Sequence, residues 1–236
     1  MMIYLTYQNF SHLDSENLSE NENLWSEWDK KEWGRLKIPK RRMEWLASRM
    51  VIKKLIKAVL PDQHGRDMNQ IEVHKEPSGA PYIVINHQRV QASVSLSHSN
   101  GFVLAACSPA SLPLGVDVER IEPRAGVFLE DFFTRDEISQ VKKSNGKEDL
   151  ITTLFWSGKE AVLKANTSGL SQDTRRINLR CPPIDESFYE WNDLLVDDDG
   201  TLYPAPRLVW RREEQMILTV CWAGNPALPL IWVEED

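Results

Sequence analysis

Two stretches of this 236-residue chain bring together residues suited to phosphate chemistry. Leu154–Ala165 reads Leu-Phe-Trp-Ser-Gly-Lys-Glu-Ala-Val-Leu-Lys-Ala, and Gly115–Arg120 reads Gly-Val-Asp-Val-Glu-Arg. At about 100° per residue, the first predicts a helix with an apolar surface over most of its circumference. Ser157, Glu160 and Lys164 share one narrow polar sector. Such a helix should be mostly buried, and its carboxylate and ammonium then need partners. Glu160 and Lys164 stand four apart, in the favourable order for an ion pair. The second stretch predicts a strand, Leu114–Glu119, whose side chains alternate. Leu114, Val116 and Val118 face one side; Asp117 and Glu119 face the other. Two carboxylates on one face raise each other's pKa. A hard divalent cation removes the conflict, because Mg²⁺ takes a few carboxylate oxygens together with waters and substrate phosphates. With Glu160 added, the set is three carboxylates and an ammonium, a site for metal-assisted chemistry on a phosphate ester. The bland alternative is the solvent face of an edge strand, with a helical ion pair worth about 0.2–0.5 kcal/mol.

Gly115-Val-Asp-Val-Glu119 followed by Trp156-Ser-x-Lys-Glu-Ala-x-x-Lys164 resembles the signature of the 4'-phosphopantetheinyl transferases. The length is similar to the longer, surfactin-synthetase-activating type. Ser95-Leu-Ser-His-Ser99 resembles that type's Ser-His motif, and Arg42-Met-Glu-Trp-Leu-Ala-Ser-Arg49 its N-terminal basic helix. The four stretches stand in the family's order. The resemblance implies an α+β fold of two similar halves related by pseudo-twofold symmetry, each a small antiparallel sheet packed with a long helix. Residues 1–112 would be the N-terminal half and 113–236 the C-terminal half, with the active site at their interface.

The resemblance also implies roles. Asp117, Glu119 and Glu160 would hold Mg²⁺ beside the pyrophosphate of coenzyme A. Lys164 would neutralise phosphate charge or protonate the leaving 3',5'-ADP. The phosphopantetheine arm would pass to a serine of an apo acyl or peptidyl carrier protein, with Glu160 or a metal-held water as base. Arg42 and Arg49 would suit the 3'-phosphate or adenine end of coenzyme A, since Arg forms fork-shaped bonds to phosphate, and His98 would contact phosphates. Lys159 falls inside the apolar arc of its helix, so its stem snorkels to water or its ammonium reaches a phosphate. The family's Gly-Lys-Pro is here Gly79-Ala80-Pro81; Lys75 is the expected substitute for the missing lysine. Glu137 reads as the last residue of a capping box, Thr134-Arg-Asp-Glu137; the resemblance leaves a second role open, since some family members have a glutamate here that has been considered as a base. The rivals are a non-catalytic module that binds coenzyme A or a carrier protein, and an unrelated Mg²⁺-dependent phosphohydrolase. No P-loop and no Gly-x-Gly-x-x-Gly is present, which disfavours nucleotide-binding folds.

Several elements must position these residues. Met1–Tyr7 reads as a strand, Leu24–Leu36 as a short irregular helix, and Pro39 as the start of a longer helix ended by Pro61. Lys75–Tyr82 reads as turn, Tyr82–Ile85 and Val90–Ser97 as strands. Asn100-Gly101 is a strong hairpin signal, with Phe102–Cys107 as the return strand. Ser108–Pro113 would then deliver Leu114–Glu119 as the third strand of a meander. Ile121–Val127 reads as loop, Asp131–Lys143 as helix and Arg175–Leu179 as strand. Leu208–Arg212, Met216–Trp222 and Leu228–Val233 read as closing antiparallel strands. Ser11–Asn23, Gly169–Asp173 and Asp197–Gly200 read as loops.

The net charge of −7 argues against a nucleic-acid protein. Basic residues still cluster from Lys37 to Lys57, suiting a small polyanion or an acidic partner. Three widely spaced cysteines lack any CxxC spacing and disfavour zinc. No leader and no apolar run of transmembrane length is evident. The expectation is a cytoplasmic monomer.

Overall fold

The computed structural model describes residues 1–11, 23–60, 67–166, 172–183, 189–198, 205–223 and 228–233. Most of the loops expected at 11–23, 169–173 and 197–200, and Pro61 as a helix stop, lie outside the described residues. The architecture is mixed α+β, in two compact units: Met1–Ser111 with Ala227–Asp236, and Leu112–Pro226. The division thus follows Ser111, and the last ten residues go with the first unit rather than the second.

The first unit opens with β1 (Ile3–Asn9), followed by helices α1 (Glu27–Arg35) and α2 (Pro39–Val59). Then come β2 (Ile71–Lys75), β3 (Pro81–Ile85), the two-residue β4 (Gln88–Arg89), β5 (Ser93–Ser99) and β6 (Phe102–Ser108). The last strand of the chain, β12 (Leu230–Trp232), runs parallel to β1, giving the order β12-β1-β6-β5. A separate sheet has the order β2-β3-β4. Pro39 occupies the first turn of α2, where a missing N–H costs nothing. Val51, Ile52, Leu55 and Ile56 of α2 bury against Val73, Ile83, Val103 and Ala105. Helix α1 starts with a capping box, Ser26 and Asp29. Asp29 is fully buried because Lys53, also fully buried, donates to its Oδ2 and to the Leu24 carbonyl at 2.8 Å.

The second unit contains β7 (Leu114–Arg120), α3 (Gly126–Phe132), α4 (Arg135–Lys142), α5 (Glu148–Ala165), β8 (Ile177–Arg180), β9 (Asn192–Asp198), β10 (Pro206–Glu213) and β11 (Met216–Ala223). Its sheet has the order β7-β11-β10-β9-β8, antiparallel throughout. Leu154, Phe155, Val162 and Leu163 of α5 pack with Leu179, Leu194, Leu208 and Ile217 of the sheet. The Thr134–Glu137 capping box is present, and α4 also guards the edge strand. Glu137 Oε1 accepts from the Leu179 amide at 2.8 Å, and Gln140 Nε2 donates to the Leu179 carbonyl at 2.9 Å. These bonds occupy backbone groups that an edge strand otherwise leaves open.

Four expectations need correction. Leu228–Val233 does not close an antiparallel set with its two predecessors: its strand, β12, leaves their sheet and pairs parallel with β1. The expected meander ends after two strands: Asn100 (φ 48°) and Gly101 (φ 87°) make the hairpin, but β7 pairs with β11 in the other sheet. The Lys75–Tyr82 turn is confined to 76–80, because β2 and β3 bring apolar alternation to either side of Gly79 (φ 90°). The helix expected over Asp131–Lys143 is two helices, α3 and α4. Phe133 is extended, and the extended Thr134 that caps α4 cannot continue a helix from the preceding turn. Among the described residues no helix is long and apolar enough to cross a membrane, and Cys107, Cys181 and Cys221 are free thiols.

Candidate active site

The polar sector of α5 lies over β7 and β11. Gly115 permits this close approach: a Cβ there would stand 2.0 Å from the Ala161 carbonyl oxygen and 2.6 Å from the Ala165 amide. Two positions along the same face of β7 is Asp117, whose side chain is 4% exposed. Lys164, two turns along α5 from Ser157, donates to Asp117 Oδ1 at 2.8 Å and to the Val116 carbonyl at 3.1 Å. The ammonium therefore ties helix to strand, where sequence spacing offered Glu160 as its neighbour. Glu160 lies beside this pair. Burial pushes its carboxyl up; Lys164 pulls it down and the Asp117 charge pushes it up further.

Of the three expected metal ligands, Asp117 and Glu160 are brought together. Glu119 lies further along the same face, and its Oε2 is 3.3 Å from Arg124 Nη2. Among the described residues, no group of three His, Cys, Asp or Glu side chains is gathered as a metal cluster. The donor chemistry nevertheless fits a hard cation: Asp117 and Glu160 set two carboxylates side by side, and burial first, then the Asp117 charge, pushes the Glu160 carboxyl up, so an added positive charge would be favourable there.

Lys159 is placed differently from a phosphate ligand. It is fully buried, 2.9 Å from Glu137 Oε2, and donates to the carbonyls of Thr174 at 2.8 Å and Ile177 at 2.7 Å. An ammonium has three donors, and all three are used. The apolar arc is its true environment; neither snorkelling nor a phosphate contact describes it. Burial pushes the Glu137 carboxyl up, and Lys159 opposes that.

The other expected coenzyme-binding residues lie in the first unit. The Arg42 guanidinium sits 3.7 Å from the Trp33 ring centroid. Arg49 is 3% exposed and stacks over Trp45 at 5.0 Å. Burial lowers its pKa to about 10 against the pull of Asp29 and Glu32. Lys75 feels the charges of both Arg49 and Glu32. His98 Nδ1 lies 3.9 Å from Glu44 Oε2 on α2. Arg49 and Lys75 are thus neighbours. Sequence reasoning missed Asp29 and Arg124, and placed Lys53 only in a basic cluster, where the structure buries it against Asp29. The Ser26-x-x-Asp29 cap was a readable signal for the first of these.

Residues 113–215, which carry this site, match the model of the 4'-phosphopantetheinyl transferase superfamily. The chain is 30% identical over 118 residues to 4'-phosphopantetheinyl transferase psf-1 of Bacillus pumilus, covering 50% of this chain and 48% of that protein. It is 29% identical over 119 residues to 4'-phosphopantetheinyl transferase Sfp of Bacillus subtilis, covering 50% of each. A 28% match over 158 residues is found with the L-aminoadipate-semialdehyde dehydrogenase-phosphopantetheinyl transferase of Schizosaccharomyces pombe, covering 60% of this chain and 57% of that one. The matches span about half the length of these relatives. Among solved structures, the holo-[acyl-carrier-protein] synthase of Thermotoga maritima aligns at a TM-score of 0.37 with 19% identity, over 56% of this chain and 74% of that one.

Proposed function

We propose that the protein transfers the 4'-phosphopantetheine arm of coenzyme A to a serine of an apo carrier protein. The observation that carries the reading is the Asp117–Lys164 pair with Glu160 beside it, inside the stretch that matches the superfamily. The carrier serine hydroxyl attacks the β-phosphorus of coenzyme A. The bond from that phosphorus to the oxygen bridging to the α-phosphate breaks, and 3',5'-ADP leaves. Catalysis of this kind rests on positioning and charge neutralisation. Asp117 and Glu160, with Glu119 if it turns from Arg124, are the residues that would hold Mg²⁺. The ion would supply positive charge to the phosphates. Asp117 and the Val116 carbonyl use two of the three Lys164 donors, leaving one for a phosphoryl oxygen or the departing group. Glu160, whose carboxyl is pushed up chiefly by burial, suits the proton acceptor for the serine hydroxyl. Arg42, Arg49, Lys75 and His98 form the basic region assigned to the coenzyme.

We also read the chain as two similar α+β halves. The shared order β1-β6-β5 and β7-β11-β10 supports this, and so does a repeated buried pair. In each unit a capping-box carboxylate, Asp29 or Glu137, receives a buried lysine, Lys53 or Lys159. Each lysine stands six residues before the last residue of its helix, Val59 or Ala165. Cys107 faces Tyr4 and Cys221 faces Gly115, each the second residue of its unit's first strand. On this mapping Lys54 and Ala58 stand where Glu160 and Lys164 do, and Thr6 where Asp117 does. The chemistry then resides in one half only.

The test is mass spectrometry of a panel of apo carriers incubated with coenzyme A and Mg²⁺. Transfer adds the mass of the arm to a carrier serine. Addition of a chelator should stop it and excess Mg²⁺ or Mn²⁺ restore it. Binding of coenzyme A with no modification of any carrier would instead support a non-catalytic binding module.

A further inference from the structure

A contact that neither sequence motif contains in full joins α5 to the sheet. Thr219, on β11, donates its hydroxyl proton to the Ser157 carbonyl at 3.0 Å. The Ser157 hydroxyl donates in return to Thr219 Oγ1 at 2.9 Å. Both side chains are fully buried. Thr219 lies directly opposite Asp117 in the β11–β7 ladder. Ser157 is on the same face of α5 as Glu160 and Lys164, one and two turns before them.

We infer that Thr219 is a positioning residue for the Asp117–Glu160–Lys164 site, acting through Ser157; the inference rests on the transferase reading. Two hydrogen bonds between one pair of residues fix both the slide and the roll of a helix on a sheet, which apolar packing alone leaves softer. The second fixed point is the close contact of Gly115 with Ala161 and Ala165. The two anchors bracket Glu160 and Lys164, so their distance from Asp117 is set by Thr219 at one end and by Gly115 at the other. A buried pair serving stability alone is replaceable by apolar groups of similar shape at little loss. A pair that sets geometry is not, because a displacement of about 1 Å at a reacting centre costs on the order of 10²-fold in rate.

The experiment compares Thr219→Val, Thr219→Ser and Ser157→Ala with the wild type in the full chain, using coenzyme A, Mg²⁺ and one apo carrier. Val keeps the shape and removes both bonds. Ser keeps the hydroxyl. Ser157→Ala removes one bond and leaves the Thr219 bond to the Ser157 carbonyl. Thr219→Val is expected to lower kcat by roughly 10–100-fold, with KM for coenzyme A within about twofold. Ser157→Ala should fall between it and wild type, and Thr219→Ser should recover most of the rate. A merely structural pair predicts lower melting temperatures with unchanged kcat in the folded enzyme, and a kcat for Thr219→Val equal to wild type overturns the inference. If Thr219→Val does not fold, Ser157→Ala decides on the same criterion. A wild type that modifies no carrier removes the transferase reading instead. Crystal structures then decide the positioning role: the inference requires the Lys164–Asp117 distance of 2.8 Å to lengthen in Thr219→Val, and an unchanged distance rejects it.

Discussion

The Lys164 ammonium lies 2.8 Å from Asp117 Oδ1, so a side chain near the end of the motif helix is held by the strand beneath it. The aspartate is 4% exposed and the lysine 29%. Removing the lysine therefore deprives a buried carboxylate of its cation. Lys164→Ala should cost about 1–3 kcal/mol of stability, the range for disrupting a buried hydrogen-bonded group, well above an exposed pair. It should also lower kcat by about 10²-fold if the ammonium faces developing charge. Lys164→Arg keeps the charge in a wider fork and should restore stability better than rate. Urea titration and kcat for one carrier check both; a normal kcat in Lys164→Ala would leave the lysine a purely structural role.

Glu160 gives the opposite sign for stability and activity. Its folded pKa is raised, chiefly by burial, so the native state holds the proton more tightly than the unfolded chain. Its contribution to stability is full below the unfolded pKa and is lost as pH rises through the raised folded pKa. At pH 7 in the absence of metal, Glu160→Gln should raise the melting temperature by a few degrees, at about 2–4 °C per kcal/mol for a chain of this size. Transfer should be nearly abolished. In wild type, rate should decline on the acid side at a pH above the usual carboxylate range. A Glu160→Gln protein that melts lower than wild type across pH 6–8 contradicts the burial argument.

Gly115 and Gly158 make a matched comparison. A Cβ at Gly115 meets backbone atoms of α5 at 2.0 and 2.6 Å; one at Gly158 meets the Leu179 and Leu194 methyl groups at 2.8 and 2.9 Å. Backbone of a packed helix cannot step aside as leucine ends can. Gly158→Ala is expected to cost about 1–3 kcal/mol and retain activity. Gly115→Ala should cost more and, in whatever folds, separate Lys164 from Asp117. Equal stability losses in denaturant titrations of the two variants would count against this packing.

The Glu137–Lys159 pair predicts a stability effect without a coenzyme effect. Lys159→Met strands a fully buried carboxylate and should cost about 3–5 kcal/mol. Adding Glu137→Gln should recover part of the loss. The KM for coenzyme A in the folded fraction should stay within about twofold. A large rise in KM with normal stability would return Lys159 to the phosphate.

What could be read from the chain was local. The narrow polar sector of α5, the alternation of β7, the Thr134–Glu137 box and the Asn100-Gly101 hairpin all follow from neighbours within a few residues. Partner strands could not be read, because β7 finds β11 across 95 intervening residues (121–215) and no period encodes that choice. The departure of β7 from the meander, the crossing of Lys164 to Asp117 and the seating of Thr219 opposite Asp117 are all consequences of this one pairing. Lys159 was misplaced for a related reason: its position inside the apolar arc was legible, but its partner Glu137 was already explained as a cap. One carboxylate serves both, capping with backbone and neutralising the lysine.

The parallel pairing of β12 with β1 joins the last strand of the chain to the first. On a ribosome adding about 5–20 residues per second, β1 emerges first and then waits through the synthesis of 112–226 before its outer neighbour exists. The second unit, an unbroken segment, can close its own sheet during that interval. The first unit must meanwhile keep one edge of β1 unpaired, with its row of amide and carbonyl groups open to other nascent chains. Completion of the earlier-made unit is thereby deferred until the second unit has been synthesised, and the vulnerable species is a nascent chain whose β12 has not yet been made.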